Sequence, residues 1–222
     1  MRKIMIAVTI MLCSIFCIIF IKKDYKNLKK GNNMNNKSIE EIEQYILNIS
    51  SYEAKAQVTI KSNKTTNTYI IKQSYAKDDN AYRQEVLEPE NIKGVTFSYD
   101  GQNLKIENTK LNLSKIYNNY EYLGDNNLTL KSFIDDYSKS NKKSIYEEND
   151  TVILETEVLN GNKYQCYKTL YISKSTGLPT KLEVKDINKD TLVYILYNEI
   201  EINNLQKEDV LAFKLEGINE EI

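Results

Sequence analysis

Several stretches of this sequence bring together side chains able to do chemistry. Asp186-x-Asn188-x-Asp190 spaces its oxygens like the first half of a calcium-binding loop, whose alternate positions wrap the ion. The second half breaks the pattern, because Thr191 stands where glycine must make the turn and Tyr197 where a bidentate glutamate must close the shell. A hairpin turn is the simpler reading. Asp135-Asp136 and Glu147-Glu148-Asn149-Asp150 set carboxylates side by side, as acid–base or metal chemistry would require. Adjacent residues on a helix point apart, however, and an acidic turn is ordinarily solvated. The chain has no His, which removes Ser-His-Asp and Cys-His nucleophiles, His-ligated catalytic zinc and imidazole general bases. No catalytic residue, metal ligand or cofactor is assigned, and a non-enzyme is expected.

Recognition is better provided for. Arg83, in Tyr82-Arg83-Gln84-Glu85-Val86, is the one Arg beyond the N-terminal head, and its five-donor fork suits a partner's carboxylate or carbonyl groups. A cross-strand pair with an acid is the plainer alternative. The 17 Tyr pose the same choice. Tyr69, Tyr75 and Tyr82 form one stripe and Tyr164, Tyr167 and Tyr171 another; Tyr makes adhesive patches but is also a common strand former. Cys166 is the only Cys past residue 17, so the body cannot form an internal disulfide, and it reads as a small buried hydrophobe.

Charge divides the chain. Its 30 Lys+Arg and 31 Asp+Glu give a net charge of −1, yet residues 1–30 hold seven of the bases and one acid. The remainder therefore carries 23 bases and 30 acids, and such an acidic body would repel a phosphate backbone, so no nucleic-acid partner is expected. Ile4–Ile21 is an 18-residue apolar run between Arg2-Lys3 and Lys22-Lys23, long enough to span a membrane. It reads as an uncleaved anchor through residues 4–21, ahead of lipidation on Cys17 or cleavage, since Ile15-Phe16 before Cys17 matches neither processing signal. Five Lys after the segment favour a cytoplasmic body by the positive-inside rule, whereas a short basic start before an apolar run is the usual export signal. An extracytoplasmic body is expected.

Behind the anchor (residues 1–23) and a polar, Asn-rich tether (24–37), one domain is expected over 38–215, with a tail at 216–222. Ser38-x-x-Glu41 has capping-box spacing, and Ile39, Ile42, Ile46 and Ile49 follow on one helical face, predicting a helix that ends near Asn48–Ser50. From Tyr52 the period becomes two: Tyr52, Ala54, Ala56, Val58 and Ile60 alternate with polar residues. Similar runs predict strands at 68–75, 82–87, 95–99, 103–108, 143–146, 151–159, 163–172, 180–186 and 191–197. Asp100-Gly101 and Asn160-Gly161 suggest type I′ hairpins. Residues 112–137 read as irregular, with a short helix around Leu128–Ile134. The predicted class is mainly β with α (α+β). It is a curled antiparallel sheet, or incomplete β-barrel, covered by a long N-terminal helix and a short second helix, with Ala54 and Ala56 letting the first helix approach closely. Its exposed edges permit strand-mediated association, including a homodimer.

The order of one helix, a strand beginning Ser51-Tyr52-Glu53-Ala54 and successive hairpins resembles the LolA/LolB-like lipoprotein-carrier superfamily. Glu88-Pro89-Glu90-Asn91-Ile92-Lys93-Gly94, the Tyr99–Leu104 hairpin, Thr176-Gly177-Leu178-Pro179 and Tyr197-Asn198-Glu199-Ile200 sit at similar places, and the likeness covers nearly all of 38–215. Within the superfamily the chain looks most like the clostridial spore-germination lipoprotein family GerS. That resemblance implies a non-catalytic partner that binds and activates a cortex amidase of the CwlD type, allowing muramic-δ-lactam to form. The superfamily also implies an alternative, a carrier or binder of lipid or lipoprotein acyl chains. With only Phe97, Phe133 and Phe213 beyond the anchor, no Trp and a tether that would prevent shuttling, the interaction protein is preferred.

Overall fold

The computed structural model describes residue 34 and residues 36–78, 80–120, 128–159 and 161–211. The anchor, Cys17, most of the tether and the 216–222 tail lie outside the described residues. So do 121–127. All described residues belong to one compact unit, Asn33–Ile222.

The first helix, α1 (Ile39–Leu47), begins as its spacing predicts. Ser38 Oγ accepts from the Glu41 amide at 3.2 Å and Glu41 Oε2 accepts from the Ser38 amide at 2.9 Å, closing the capping box. Ile42 and Ile46 are fully buried. This helix is not long: it has 9 residues, because the backbone and side-chain amides of Asn48 both bond Gln44 O and end it, and β1 starts at Ser51. The second helix, α2 (Leu130–Lys139), has 10 residues and is capped by Thr129, whose Oγ1 accepts from the Ser132 amide.

Among the described residues, eleven strands form one wholly antiparallel sheet. They are β1 (Ser51–Lys61), β2 (Thr66–Ala76), β3 (Ala81–Glu88), β4 (Val95–Tyr99), β5 (Leu104–Asn108), β6 (Leu113–Tyr117), β7 (Lys143–Glu148), β8 (Thr151–Glu157), β9 (Tyr167–Ser173), β10 (Pro179–Lys185) and β11 (Thr191–Ile202). The spatial order is β6-β5-β4-β3-β2-β1-β11-β10-β9-β8-β7. Two meanders, β1–β6 and β7–β11, therefore meet where β1 pairs with β11, and the sheet is left open between β6 and β7. A register shift at Lys55/Ala56, where Lys55 faces Glu199 and Ala56 faces Tyr197, adds local twist near the middle of the sheet.

One face of the sheet is dry. Tyr52, Ala54, Ala56 and Val58 of β1, Leu154 of β8, Leu170 and Ile172 of β9, Leu182 and Val184 of β10 and Ile195 of β11 are buried together with Ile42, Ile46, Leu130 and Phe133 of the helices. Helix α1 packs chiefly on β7, β8 and α2, and its Ile42 and Ile46 share the buried cluster with Ala54 and Ala56. The outer face carries a third, short helix, α3 (Lys207–Leu211), whose Val210 packs on Ala76 and Ala81.

The turns differ from expectation in detail. Asp100-Gly101 does turn a hairpin, but of four residues: Gly101 alone has positive φ (99°), and Asp100 Oδ1 accepts from the amides of Gln102 and Asn103. Asn160 of the second expected turn lies outside the described residues, and β8 and β9 are joined by a loop over 158–166. Asp186-x-Asn188-x-Asp190 is a hairpin turn, with Asp186 Oδ1 accepting from the amides of Asn188 (2.8 Å) and Asp190 (2.9 Å).

Neighbouring residues of β11 test the two faces. Ile195→Ala should cost about 2–5 kcal/mol, whereas Leu196→Ala, at a 40% exposed position, should cost less than about 1 kcal/mol. Urea unfolding followed by circular dichroism measures both, and equal losses would contradict the assigned faces.

Candidate functional site

Strand register lines up a row of tyrosines. Tyr52 of β1 faces Tyr75 of β2, which faces Tyr82 of β3, which faces Tyr99 of β4, and all four are buried. The Tyr52 and Tyr75 rings lie 5.7 Å apart. The Tyr82 hydroxyl donates to Gln84 Oε1 and the Tyr99 hydroxyl to Gly101 O. Tyr75 and Tyr82, which the sequence groups in one stripe with Tyr69 as either a patch or strand formers, thus point into the dry face. The register explains this, because residues directly opposite share a face and that face is covered. Tyr69, opposite Val58 at the far end of β2, stays half-buried.

Arg83 lies on the other face. Its neighbours across the sheet are Ser74 of β2 and Ser98 of β4. Its side chain is 14% exposed and its Nη2 lies 3.6 Å from Glu85 Oε2, an acid two residues along the same strand. Lys72 Nζ meets Glu53 at 3.1 Å beside it, and the Ser74 hydroxyl donates to the same carboxylate. Together with Asp209 and Val210 of α3 these groups line a cavity of about 230 Å³. The guanidinium is therefore a recessed, ion-paired group and not an open fork.

The sequence reading missed a buried charge cluster. Lys168 of β9 is 0% exposed, and its Nζ donates to Ser132 Oγ and, at 2.7 Å, to Asp136 Oδ2, both on α2. The Leu159 amide donates to the other Asp136 oxygen at 3.2 Å. Burial pushes the Lys168 ammonium below its ordinary value, opposed by the hydrogen bond and charge of Asp136. Asp136 is one of the paired carboxylates read as candidates for chemistry, and it is spent holding α2 to the sheet. Asp135 pairs with Lys131, and Glu147 is held by both its oxygens to Lys174 at 2.7 Å. A signal for the cluster was present, since Lys168 falls in phase with Leu170 and Ile172 on the dry face.

The outer face of the second meander carries a related network. Glu183 accepts from the Tyr171 hydroxyl at 3.1 Å and pairs with Lys181 at 2.8 Å and Lys185 at 3.5 Å. Burial alone would raise its pKa, but Lys181 and Lys185 hold the carboxyl below its usual range. Burial, aided by Glu183, pushes the Tyr171 phenol up. Burial, with the Glu43 carboxylate accepting its hydrogen bond, does the same to Tyr137, and burial alone does so to Tyr197. Cys166 precedes β9, is half-buried and donates to Asn162 O, so it is a loop residue and not a strand hydrophobe. Among the described residues no group of three or more Cys, Asp or Glu is placed to hold a metal ion, and no helix is long and apolar enough to cross a membrane.

What the described residues do offer is an open antiparallel sheet with its dry face packed and two strand edges available. The sequence matches the family model described as "Sporulation protein YdcC-like" over residues 3–211. The chain belongs to the YdcC-like sporulation protein family. Among solved structures, this YdcC-like fold is shared with an uncharacterised conserved protein from Thermus thermophilus. That protein is 13% identical, with 81% of this chain and 96% of that one covered, at a TM-score of 0.52. The chain is also similar to a chain in the complex of the CwlD amidase from Clostridioides difficile with the GerS lipoprotein (26% identity, 73% and 92% covered, TM-score 0.48). A LolA superfamily protein from Nitrosomonas europaea is 10% identical, with 79% and 98% covered, at a TM-score of 0.41. A search of curated protein sequences gives no significant match.

Two measurements probe the buried groups. Lys168→Met alone leaves Asp136 unpaired and should cost about 3–5 kcal/mol in urea unfolding, while Lys168→Met with Asp136→Leu should recover most of the loss. An additive double variant would show that the pair is not coupled. Tyr137, Tyr171 and Tyr197 have folded pKa values above the ordinary 10.0, so above that pH the folded state holds protons that the unfolded state has lost. Stability should therefore fall as pH rises past about 10. The depressed Lys168 works in the opposite sense only between its lowered value and 10.5. Melting temperatures across alkaline pH should decline, and Tyr197→Phe should flatten the decline.

Proposed function

We propose that this chain is a non-catalytic, membrane-anchored, extracytoplasmic sporulation protein that binds and activates a cell-wall amidase of the CwlD type. It thereby supports muramic-δ-lactam formation and spore germination. The observation that carries the reading is the family match over residues 3–211, which assigns the chain to sporulation. The resemblance of residues 38–215 to the GerS family supplies the partner class. The absence of His leaves zinc ligation by imidazole and His-based hydrolysis to the partner.

The geometry favours a binding surface over a carrier's hollow. Leu130, Phe133 and Tyr137 of α2 and Ile42 and Ile46 of α1 are each at most 1% exposed, so side chains fill the described space between helices and sheet. A site for acyl chains would need that space open. Residues 4–21 serve as the anchor in this reading, with lipidation at Cys17 the other means of attachment. Arg83 and Tyr69 are the members of the sequence-derived contact set that keep some exposure, whereas Tyr75 and Tyr82 would act through the core that positions them. A homodimer formed through the sheet edges is compatible with the same role.

The full chain in detergent should co-purify with a CwlD-type amidase in a fixed ratio and raise that amidase's activity or zinc retention several-fold. Failure of both, or lipid recovered stoichiometrically with the purified chain by mass spectrometry, would overturn the proposal.

A further inference from the structure

The two edges of the sheet are built differently. Strand β7 is guarded: Lys143, Glu147 and Glu148 stand exposed along it and Lys174 clamps Glu147, which is how natural sheets discourage edge pairing. Strand β6 carries a single charge, Lys115, among mostly apolar residues. All five of its residues are exposed, Leu113 to 62% and Ile116 to 57%, with Tyr117 at 38% and Leu111 just before it at 64%. An edge strand also presents backbone N–H and C=O groups with no neighbouring strand to meet them. Exposed apolar side chains on such an edge mark either an aggregation site or a docking site.

The charges specify what would dock. The register with β5 puts Leu113, Lys115 and Tyr117 on one face, opposite Asn108, Ile106 and Leu104. Lys115 Nζ lies 4.7 Å from the Tyr117 ring centroid and has no carboxylate partner among the described residues. Glu107 of the hairpin is engaged by Lys105 at 2.6 Å, and Glu90, before β4, by Lys110 and Lys93. The edge thus offers an apolar, cationic, apolar sequence of side chains on one face. Its complement is an extended segment with a carboxylate between two apolar residues at alternate positions.

A second copy of β6 fits this edge poorly. Pairing the five residues with themselves antiparallel over their full length sets Lys115 directly opposite the second Lys115, and like charges directly opposite are destabilising.

We propose that β6 is a docking edge for an extended segment of a partner protein, added antiparallel to the sheet, whose acidic side chain meets Lys115 and whose flanking apolar side chains cover Leu113 and Tyr117. The proposal rests on the protein-binding reading above but not on which protein binds. Main-chain hydrogen bonds would supply affinity, and alternate side chains would supply choice.

The test uses the full chain in detergent and two labelled peptides, Ac-TVTETVT-NH2 and Ac-TVTKTVT-NH2, read by fluorescence anisotropy. The Glu peptide should bind at least about fivefold more tightly than the Lys peptide, and Lys115→Glu should invert the order. Lys115 is exposed, so an unchanged melting temperature would confirm that the variant folds. Absence of Glu-peptide binding, or a preference unaltered by Lys115→Glu, would overturn the proposal. So would self-association by sedimentation that Lys115→Glu strengthens and the Glu peptide does not compete. No amidase is present, so these results are independent of whether an amidase co-purifies.

Discussion

The pairing of β1 with β11 is the constraint on which the rest of this structure depends. Every other strand pair joins neighbours in sequence, whereas this one joins Tyr52 to Ile202 and Ile60 to Val193 across almost the whole described chain. Closing a loop of that length costs only a few kcal/mol more than closing a short one, because the entropic term grows with the logarithm of length. Two rows of cross-strand contacts offset it, with Val58 against Ile195 and Ile60 against Val193 on the dry side. Without this pairing the chain would be two separate meanders. With it, β1 and β11 are interior strands, and the unpaired edges fall to β6 and β7.

The dry face is closed partly by charge. A helix with only apolar contacts could slide, but α2 carries Ser132 and Asp136 on its buried side and both engage Lys168. Such a pair contributes little net stability over an apolar substitute, yet breaking it is costly, so it favours one seating of the helix over its alternatives. Tyr137 on the same helix donates to Glu43 of α1, linking the two covers to each other. The surfaces that packing leaves over are the edges and the recessed Arg83 cavity. The outer row from Arg83 runs through Ser98 and Lys105 to Ile116, so cavity and β6 edge are joined on one face.

Much of the architecture was legible because it follows from period and capping. The Ser38–Glu41 box, the alternation from Tyr52 to Ile60 and the β4 run Val95–Tyr99 have purely local causes, and they stand where the spacing put them. Strand β6 was not legible. Leu113-Ser114-Lys115-Ile116-Tyr117 has no dry face, so it shows none of the alternation by which strands are recognised. Periodicity stopped β11 at Tyr197, short of its end at Ile202, because Asn198, Glu199 and Glu201 are poor strand formers held there by β1. Tyr75 and Tyr82 could not be placed from sequence, since an amphipathic side chain fits either face and only the cross-strand register decides. The Lys168–Asp136 pair joins residues 32 positions apart on different elements, and nothing local in either segment announces the other.

Amide hydrogen exchange by residue, with and without a CwlD-type amidase, tests the proposal that the β1–β11 pair holds the sheet together while β6 is left open for binding. The account predicts that amides of β1 and β11 exchange last, that those of Leu113–Tyr117 exchange early in the chain alone, and that adding the amidase slows Leu113–Tyr117 selectively. Early exchange in β1 and β11, or protection by the amidase that falls elsewhere and leaves β6 unchanged, would contradict it.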